Sequence, residues 1–126
     1  MEPVYLFDLV GAKRDWLAAR QALVAQNVAN ANTPAYRTQD LAPFAMALDR
    51  SALAMTSDNP MHLQTALSPA PRAASKESEG WEVVHSGNSV GLEQEMMKQS
   101  SIRGAYSLDT SILKAFHNMW MSSLKG

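Results

Sequence analysis

Ala29-Asn30-Ala31-Asn32-Thr33-Pro34-Ala35-Tyr36-Arg37 is the stretch on which the reading of this fold turns. Pro34 removes a backbone donor and pushes Thr33 out of the α region, so a helix arriving from the N-terminal side ends near Asn32. Asn tolerates a left-handed cap conformation, and Asn30 and Asn32 are the two candidates for it. Upstream, from Val4 to Asn32, there is no proline, and apolar residues recur at helical spacing. Phe7, Val10, Leu17, Val24, Val28 and Ala31 fall on alternating steps of three and four, with Arg14 and Gln21 as polar interruptions. This is a heptad-like stripe. Leu9, Ala12, Trp16, Ala19 and Leu23 form a second stripe beside it. Two adjacent stripes predict a helix with neighbours on more than one side. Its length is roughly 40 Å at the α-helical rise, too long to bury itself within a small globule.

Downstream the texture changes. Pro43 to Met55 predicts a short helix, carried by Phe44, Met46, Leu48 and Leu53. Asp58-Asn59-Pro60, then Ser68-Pro69-Ala70-Pro71 and a mixture of Ser, Lys and Glu, are turn and linker signals. Trp81-Glu82-Val83-Val84-His85 reads as a short extended piece. Ser86-Gly87-Asn88-Ser89-Val90-Gly91 then opens a second long helix, from Leu92 to about Leu124. Glu93 and Glu95 lie in its first turn and Lys125 at its last, each on the side that the helix dipole favours. Ile102, Tyr106, Leu113, Phe116 and Trp120 form one stripe, broken by Asp109; Ala105, Leu108, Ile112, Ala115 and Met119 form another.

The expected fold is mainly α: two long terminal helices paired as an antiparallel coiled coil. A largely irregular middle, with at most a short helix and a short strand, joins them. The chain divides into residues 1–36, the first helix and its Asn-Thr-Pro exit; 37–89, the middle; and 90–126, the second helix. The two helices together make one assembly domain, whose second stripes are left for neighbouring subunits. That is the pattern of a polymer.

Bulk properties narrow the function. The chain has 126 residues, 46% hydrophobic, with a formal net charge of -1. Its Lys and Arg are scattered, so no basic stripe exists to neutralise phosphates, and nucleic-acid binding is not expected. The absence of cysteine removes disulfides, thiol catalysis and Cys-based zinc sites. Eight methionines carry part of the apolar load and suit surfaces that pack against several neighbours. Met1 to Asp8 lacks the basic start and apolar run of a cleavable signal peptide. No run of about 18 apolar residues is present, so direct membrane insertion is not expected. Export, if it occurs, uses a route without a cleaved signal peptide.

From Arg20 to Tyr36 the sequence Arg-Gln-Ala-Leu-Val-Ala-Gln-Asn-Val-Ala-Asn-Ala-Asn-Thr-Pro-Ala-Tyr resembles the N-terminal motif of flagellar rod, hook and hook-associated proteins. Gly87-Asn88-Ser89-Val90-Gly91-Leu92-Glu93-Gln94-Glu95-Met96 is similar to the start of the C-terminal helix in proximal rod members of that family. Met55-Thr56 to His62-Leu63 resembles their middle segment. Two positions depart from the pattern. Ala35 stands where Gly is usual, and Gly91 stands where Asp would cap the helix.

The resemblance implies a structural subunit of the proximal rod of the flagellar basal body, transmitting torque between the MS ring and the rest of the axial structure. Export unfolded through the flagellar type III apparatus and assembly in the periplasm would follow. The implied partners are other rod subunits, the MS-ring adaptor protein and the export apparatus. The implied assembly residues are Arg20, Gln21, Asn27, Asn30, Asn32, Thr33, Pro34 and Tyr36. Phe7, Val10, Leu17, Val24, Val28, Ile102, Tyr106, Leu113, Phe116 and Trp120 are expected to pack the helices. Gly87, Asn88, Val90, Leu92, Glu95 and Met96 are expected to start the second one. The alternatives are a sibling rod protein, or a soluble helical adaptor or export chaperone.

No catalytic constellation is visible, and neither a cofactor nor a metal is expected. His62, His85 and His117 lack ligand spacing, and Met119 and Met121 beside His117 read as packing residues. Asn27 and Asn30, three apart on one helix face, admit two accounts: residues that end a helix, or polar groups that fix register between subunits. The family resemblance favours the second. Both terminal helices are expected to be partly disordered in an isolated subunit, because their second stripes lack partners there.

Overall fold

The computed structural model describes residues 3–51, 75–78 and 80–126. Along the chain run α1 (Pro3–Ala29), β1 (Gln39–Leu41), α2 (Phe44–Ser51), β2 (Ser75–Glu77) and α3 (Leu92–Lys125). The stretch from Met55 to Leu63, and the expected continuation of the short helix to Met55, lie outside the described residues.

The two long helices pack side by side and antiparallel. Asn27 of α1 meets Glu95 of α3, Lys13 meets Asp109, and the Phe7 and Phe116 rings touch edge to face at 5.7 Å. The seam is narrow and heptad-spaced. Val10, Leu17 and Val24 are buried from α1, and Glu95, Ile102 and Asp109 from α3. Leu17, Val24 and Ile102 form its apolar centre, with Trp16, Ala105 and Tyr106 packed against them. Asp109, read in the sequence as a break in the stripe, lies within the seam and takes Lys13 Nζ at 2.9 Å on Oδ1. Among the described residues its Oδ2 has no hydrogen-bond partner.

Four sequence expectations need correction. First, α1 ends at Ala29 rather than near Asn32, and residues 30–32 continue as tighter turns. Asn30 N–H is shared between the Gln26 and Asn27 carbonyls, and Ala31 N–H turns to Val28 O, the shift toward i→i+3 bonding common at helix ends. Second, neither asparagine takes the left-handed conformation. Ala35 does, with φ 59°.

Third, the middle holds a two-stranded antiparallel ladder, Gln39 opposite Glu77 and Leu41 opposite Ser75, instead of a strand at Trp81–His85. In the latter segment the chain folds back on itself, with Val84 N–H bonding Asn88 O and Gly87 N–H bonding Val84 O. Its backbone groups go to this turn rather than to a ladder. Fourth, the second stripe of α1 is partly used within the chain. Trp16 Nε1 donates to Ala42 O at 2.9 Å, and its ring packs against Phe44 of α2 at 6.0 Å.

Candidate functional site

The exit of α1 and the approach to α3 meet at one end of the helix pair. Asn27 is fully buried at their junction. Its amide nitrogen donates to Gln39 O at 2.8 Å and to Glu95 Oε2 at 3.1 Å. Its oxygen accepts from Gln39 N–H at 3.1 Å and from the Tyr36 hydroxyl at 3.2 Å. Two donors and two acceptor sites are the whole capacity of an Asn side chain, and all four are used. Glu95, equally buried, takes Lys98 Nζ on its other oxygen at 2.9 Å. The buried carboxylate is thereby both paired and hydrogen-bonded, which a charge withdrawn from water requires.

Asn88 completes the junction from the α3 side. Its amide nitrogen donates to Asn30 O at 2.9 Å and Thr33 O at 2.7 Å, carbonyls just past the end of α1 that also accept the Thr33 and Tyr36 N–H groups. Its oxygen accepts from Val90 N–H at 2.7 Å and shapes the entry to α3. Beside it, Ser89 N–H bonds Tyr36 O, Ser89 Oγ accepts from Thr38 N–H, and Thr38 Oγ1 donates to Ser89 O at 2.6 Å. Ala35 N–H reaches Ser86 O, and Gly87, at φ 80°, lies against Ala35. A Cβ at Gly80 would fall on the Ser89 carbonyl, so the chain passes this clasp where only glycine fits.

A charged group braces the flank. Arg20 makes a two-pronged contact with Asp40 of β1, Nε to Oδ1 at 2.9 Å and Nη2 to Oδ2 at 3.0 Å, and lies 5.5 Å from the Trp16 ring. Lys98 reaches Asp40 at 3.5 Å from α3. Burial works against the charged form of Asp40. Hydrogen bonds from Arg20 and the Leu41 N–H, with the charges of Arg20 and Lys98, outweigh it and hold its pKa below the usual carboxylate value. The hydrogen bond to Asp40 raises the Arg20 pKa; burial opposes this, and the charges of Asp40 and Glu95 support it.

The clasp thus joins, within one chain, the two sequence blocks that carry the rod and hook resemblance. No protein-family model matches the chain. A flagellar basal body rod protein FlgB from Agrobacterium fabrum is 36% identical over 129 residues, covering 99% of this chain and 96% of that one. The chain belongs to the flagellar rod and hook axial protein family. Among the described residues no group of three or more His, Asp or Glu could hold a metal ion, and no helix is long and apolar enough to cross a membrane.

The family motif divides into an inner and an outer part. Asn27 is spent inside the subunit, and Arg20 and Tyr36 are half-buried with partners in the same chain. Asn30 is bonded locally, its nitrogen to Gln26 O and its oxygen to the Thr33 hydroxyl. Gln21, Asn32, Thr33 and Pro34 are exposed. Of the expected packing residues, Val10, Leu17, Val24 and Ile102 are buried, and Tyr106, Leu113 and Phe116 half-buried. Phe7, Val28 and Trp120 are exposed, although Phe7 keeps its ring contact. In the α3 block, Asn88 and Glu95 are buried, Gly87 and Val90 half-buried, Leu92 and Met96 exposed. Gly91 caps α3 with its backbone alone.

Sequence reasoning missed Thr38, Asp40, Ser89, Lys98 and Lys13. The one available signal was a pair of polar residues fourteen positions apart in the heptad seam, Glu95 and Asp109, with Ile102 midway between them. Between the helices, an open groove of about 430 Å³ is lined by Val24, Ala25 and Val28 of α1 and by Met96 and Gln99 of α3, among others.

Proposed function

We propose that this protein is a structural subunit of the proximal flagellar rod, polymerising through its terminal helices to transmit torque between the MS ring and the rest of the axial structure. The observation that carries this reading is the antiparallel pairing of the two chain ends, clasped by the two family blocks while large apolar residues stay exposed along both helices. Residues 1–36 and 90–126 form the assembly domain, wound as a coiled coil, and residues 37–89 connect them. The neighbours are other rod subunits and the MS-ring adaptor protein. The chain reaches the periplasm through the flagellar type III export apparatus.

Purified basal bodies, fractionated and probed for this chain, test the reading. Recovery at the MS-ring end of the rod supports it. A small cytoplasmic complex absent from basal bodies replaces it with an adaptor or chaperone, and recovery at the distal end with a sibling rod protein. Within the motif, Asn30→Leu leaves secretion intact and impairs rod assembly; wild-type motility in that variant removes its assembly role.

A further inference from the structure

Two rows of the α1 seam repeat every seven residues, and they carry different information. Val10, Leu17 and Val24 are all apolar and buried, so this row reads the same after α3 slides along it by one heptad. Leu6, Lys13, Arg20 and Asn27 form the other row, half-buried or buried, and no two of them are alike. The facing row of α3 is Glu95, Ile102, Asp109 and Phe116, acid and apolar in turn. Asn27 meets Glu95 and Lys13 meets Asp109, a step of fourteen residues on each helix. By the same spacing Arg20 falls opposite Ile102, and Leu6 opposite Phe116.

Arg20 is thus a cation of this row with an apolar residue across the seam. It is also the better partner for an acid. The Lys13 ammonium bonds Asp109 Oδ1 and leaves the buried Oδ2 without a partner among the described residues. A guanidinium fork can hold both oxygens of a carboxylate. A slide of α3 by seven residues brings Asp109 to Arg20 in one direction and Glu95 to Arg20 in the other. Either slide exchanges the Lys13 pair for an Arg20 pair. In the structure, however, Asp40 of β1 already holds both prongs of the Arg20 fork, at 2.9 and 3.0 Å. Lys98 of α3 stands 3.5 Å from the same carboxylate. After a slide by seven, Gly91 or Ala105 takes its place and that charge is gone.

We propose that α1 and α3 find their alignment through this fourteen-residue alternation, with Lys13 and Asp109 as the pair that sets it and Asp40 as the residue that withholds Arg20 from the seam. A wrong alignment is penalised by the same pattern, because a slide by seven leaves Asn27 or Lys13 facing Ile102. The clasp pins one end of the helix pair. The Lys13–Asp109 pin lies fourteen residues further along each helix, roughly 21 Å away. This device belongs to the single chain and does not depend on the rod-subunit reading.

The chain has no cysteine, so the full-length protein can carry spin labels at Gly11→Cys and Met97→Cys, two exposed positions. A Cβ at Gly11 meets nothing within 4 Å. The distance between the labels, read by pulsed electron-spin resonance, changes by roughly 10 Å for a slide of one heptad. Lys13→Leu with Asn27→Leu and Asp40→Ala frees Arg20 for Asp109 and gives Phe116 and Ile102 apolar partners after the slide. In this triple variant the label distance lengthens by that amount; retention of the native distance overturns the alignment code. With Asp40 kept, Lys13→Leu and Asn27→Leu give the longer distance in a several-fold smaller share of molecules. Equal shares with and without Asp40 overturn its role. A second test holds even if the triple variant loses its helices by circular dichroism. Lys13→Asp and Asp109→Lys each lower the urea midpoint, and the two together recover most of the loss at the native label distance. No recovery in the exchanged pair overturns Lys13 and Asp109 as the contact that sets the alignment.

Discussion

Around Asn27, the side chains of Thr38, Asn88, Ser89 and Glu95 are also withdrawn from solvent and hydrogen-bonded within the chain; around Trp120, no residue from His117 onward is buried at all. The two ends of one helix pair therefore divide the work. Polar groups in a dry junction are costly when mispaired, so the clasp admits one alignment of α1 against α3. Apolar side chains such as Met119 and Trp120 are far less particular about geometry, and the free end leaves them exposed.

The largest expected effect breaks the clasp outright. Asn27→Ala strands one oxygen of Glu95, both backbone groups of Gln39 and the Tyr36 hydroxyl, and lowers stability by about 3 kcal/mol or more. Trp120→Ala changes monomer stability by no more than about 0.5 kcal/mol. Urea denaturation of the two variants measures both, and equal effects would erase the difference between the ends. Hydrogen exchange on dilute monomer reads the same contrast without mutation. Amides of residues 20–29 and 92–102 exchange slowly, and those beyond residue 112 exchange fast. Uniform protection along α3 would contradict a division of the helix into a held end and a free one.

Acid gives a smaller and more selective effect. The folded-state pKa of Asp40 is depressed, so its contribution is fully present above its unfolded pKa and is lost as pH falls through the folded value. Arg20, whose pKa is raised, stays charged throughout that range. The clasp end therefore loosens in acid, and Asp40→Asn flattens this part of the stability profile, as read from denaturation midpoints across the carboxylate range. An unchanged slope in the variant would assign the acid sensitivity to other groups.

Ala35→Gly sharpens the comparison in the other direction. Removing a Cβ held at positive φ stabilises the protein by roughly 1 kcal/mol, visible as a higher melting temperature. Gly91→Asp is the smallest change, a gain of a few tenths of a kcal/mol at the start of α3 from an added side-chain cap. A loss in either case would mean that the clasp depends on the residue now present there.

The two long helices are legible in the sequence because Val10, Leu17 and Val24 repeat at a spacing that only a helix seam satisfies. The clasp is not legible, for two physical reasons. Its members are Asn, Thr, Ser and Glu, which hydropathy patterns assign to the surface, and burial of such groups depends on partners 51 to 68 residues away. The ladder of Gln39–Leu41 with Ser75–Glu77 escaped for a similar cause. Backbone bonds hold it, the side chains of Ser75–Glu77 are exposed, and no alternation marks it. Trp81–His85 misled in reverse: β-formers alone do not supply a strand partner. The family motif contains Asn27 and Asn88 but gives no sign of the partners that bury them.

Asn88 closes carbonyls that lie 55 and 58 residues earlier in the chain. A polypeptide that emerges from a ribosome, or from any narrow channel N-terminus first, presents the end of α1 long before its cap arrives. Until then Asn27 has no Glu95, and a lone helix of this length is marginal in water. The distance along the chain thus acts as a delay. A chain that emerges in this way stays unfinished, and it locks only after most of its length has come through.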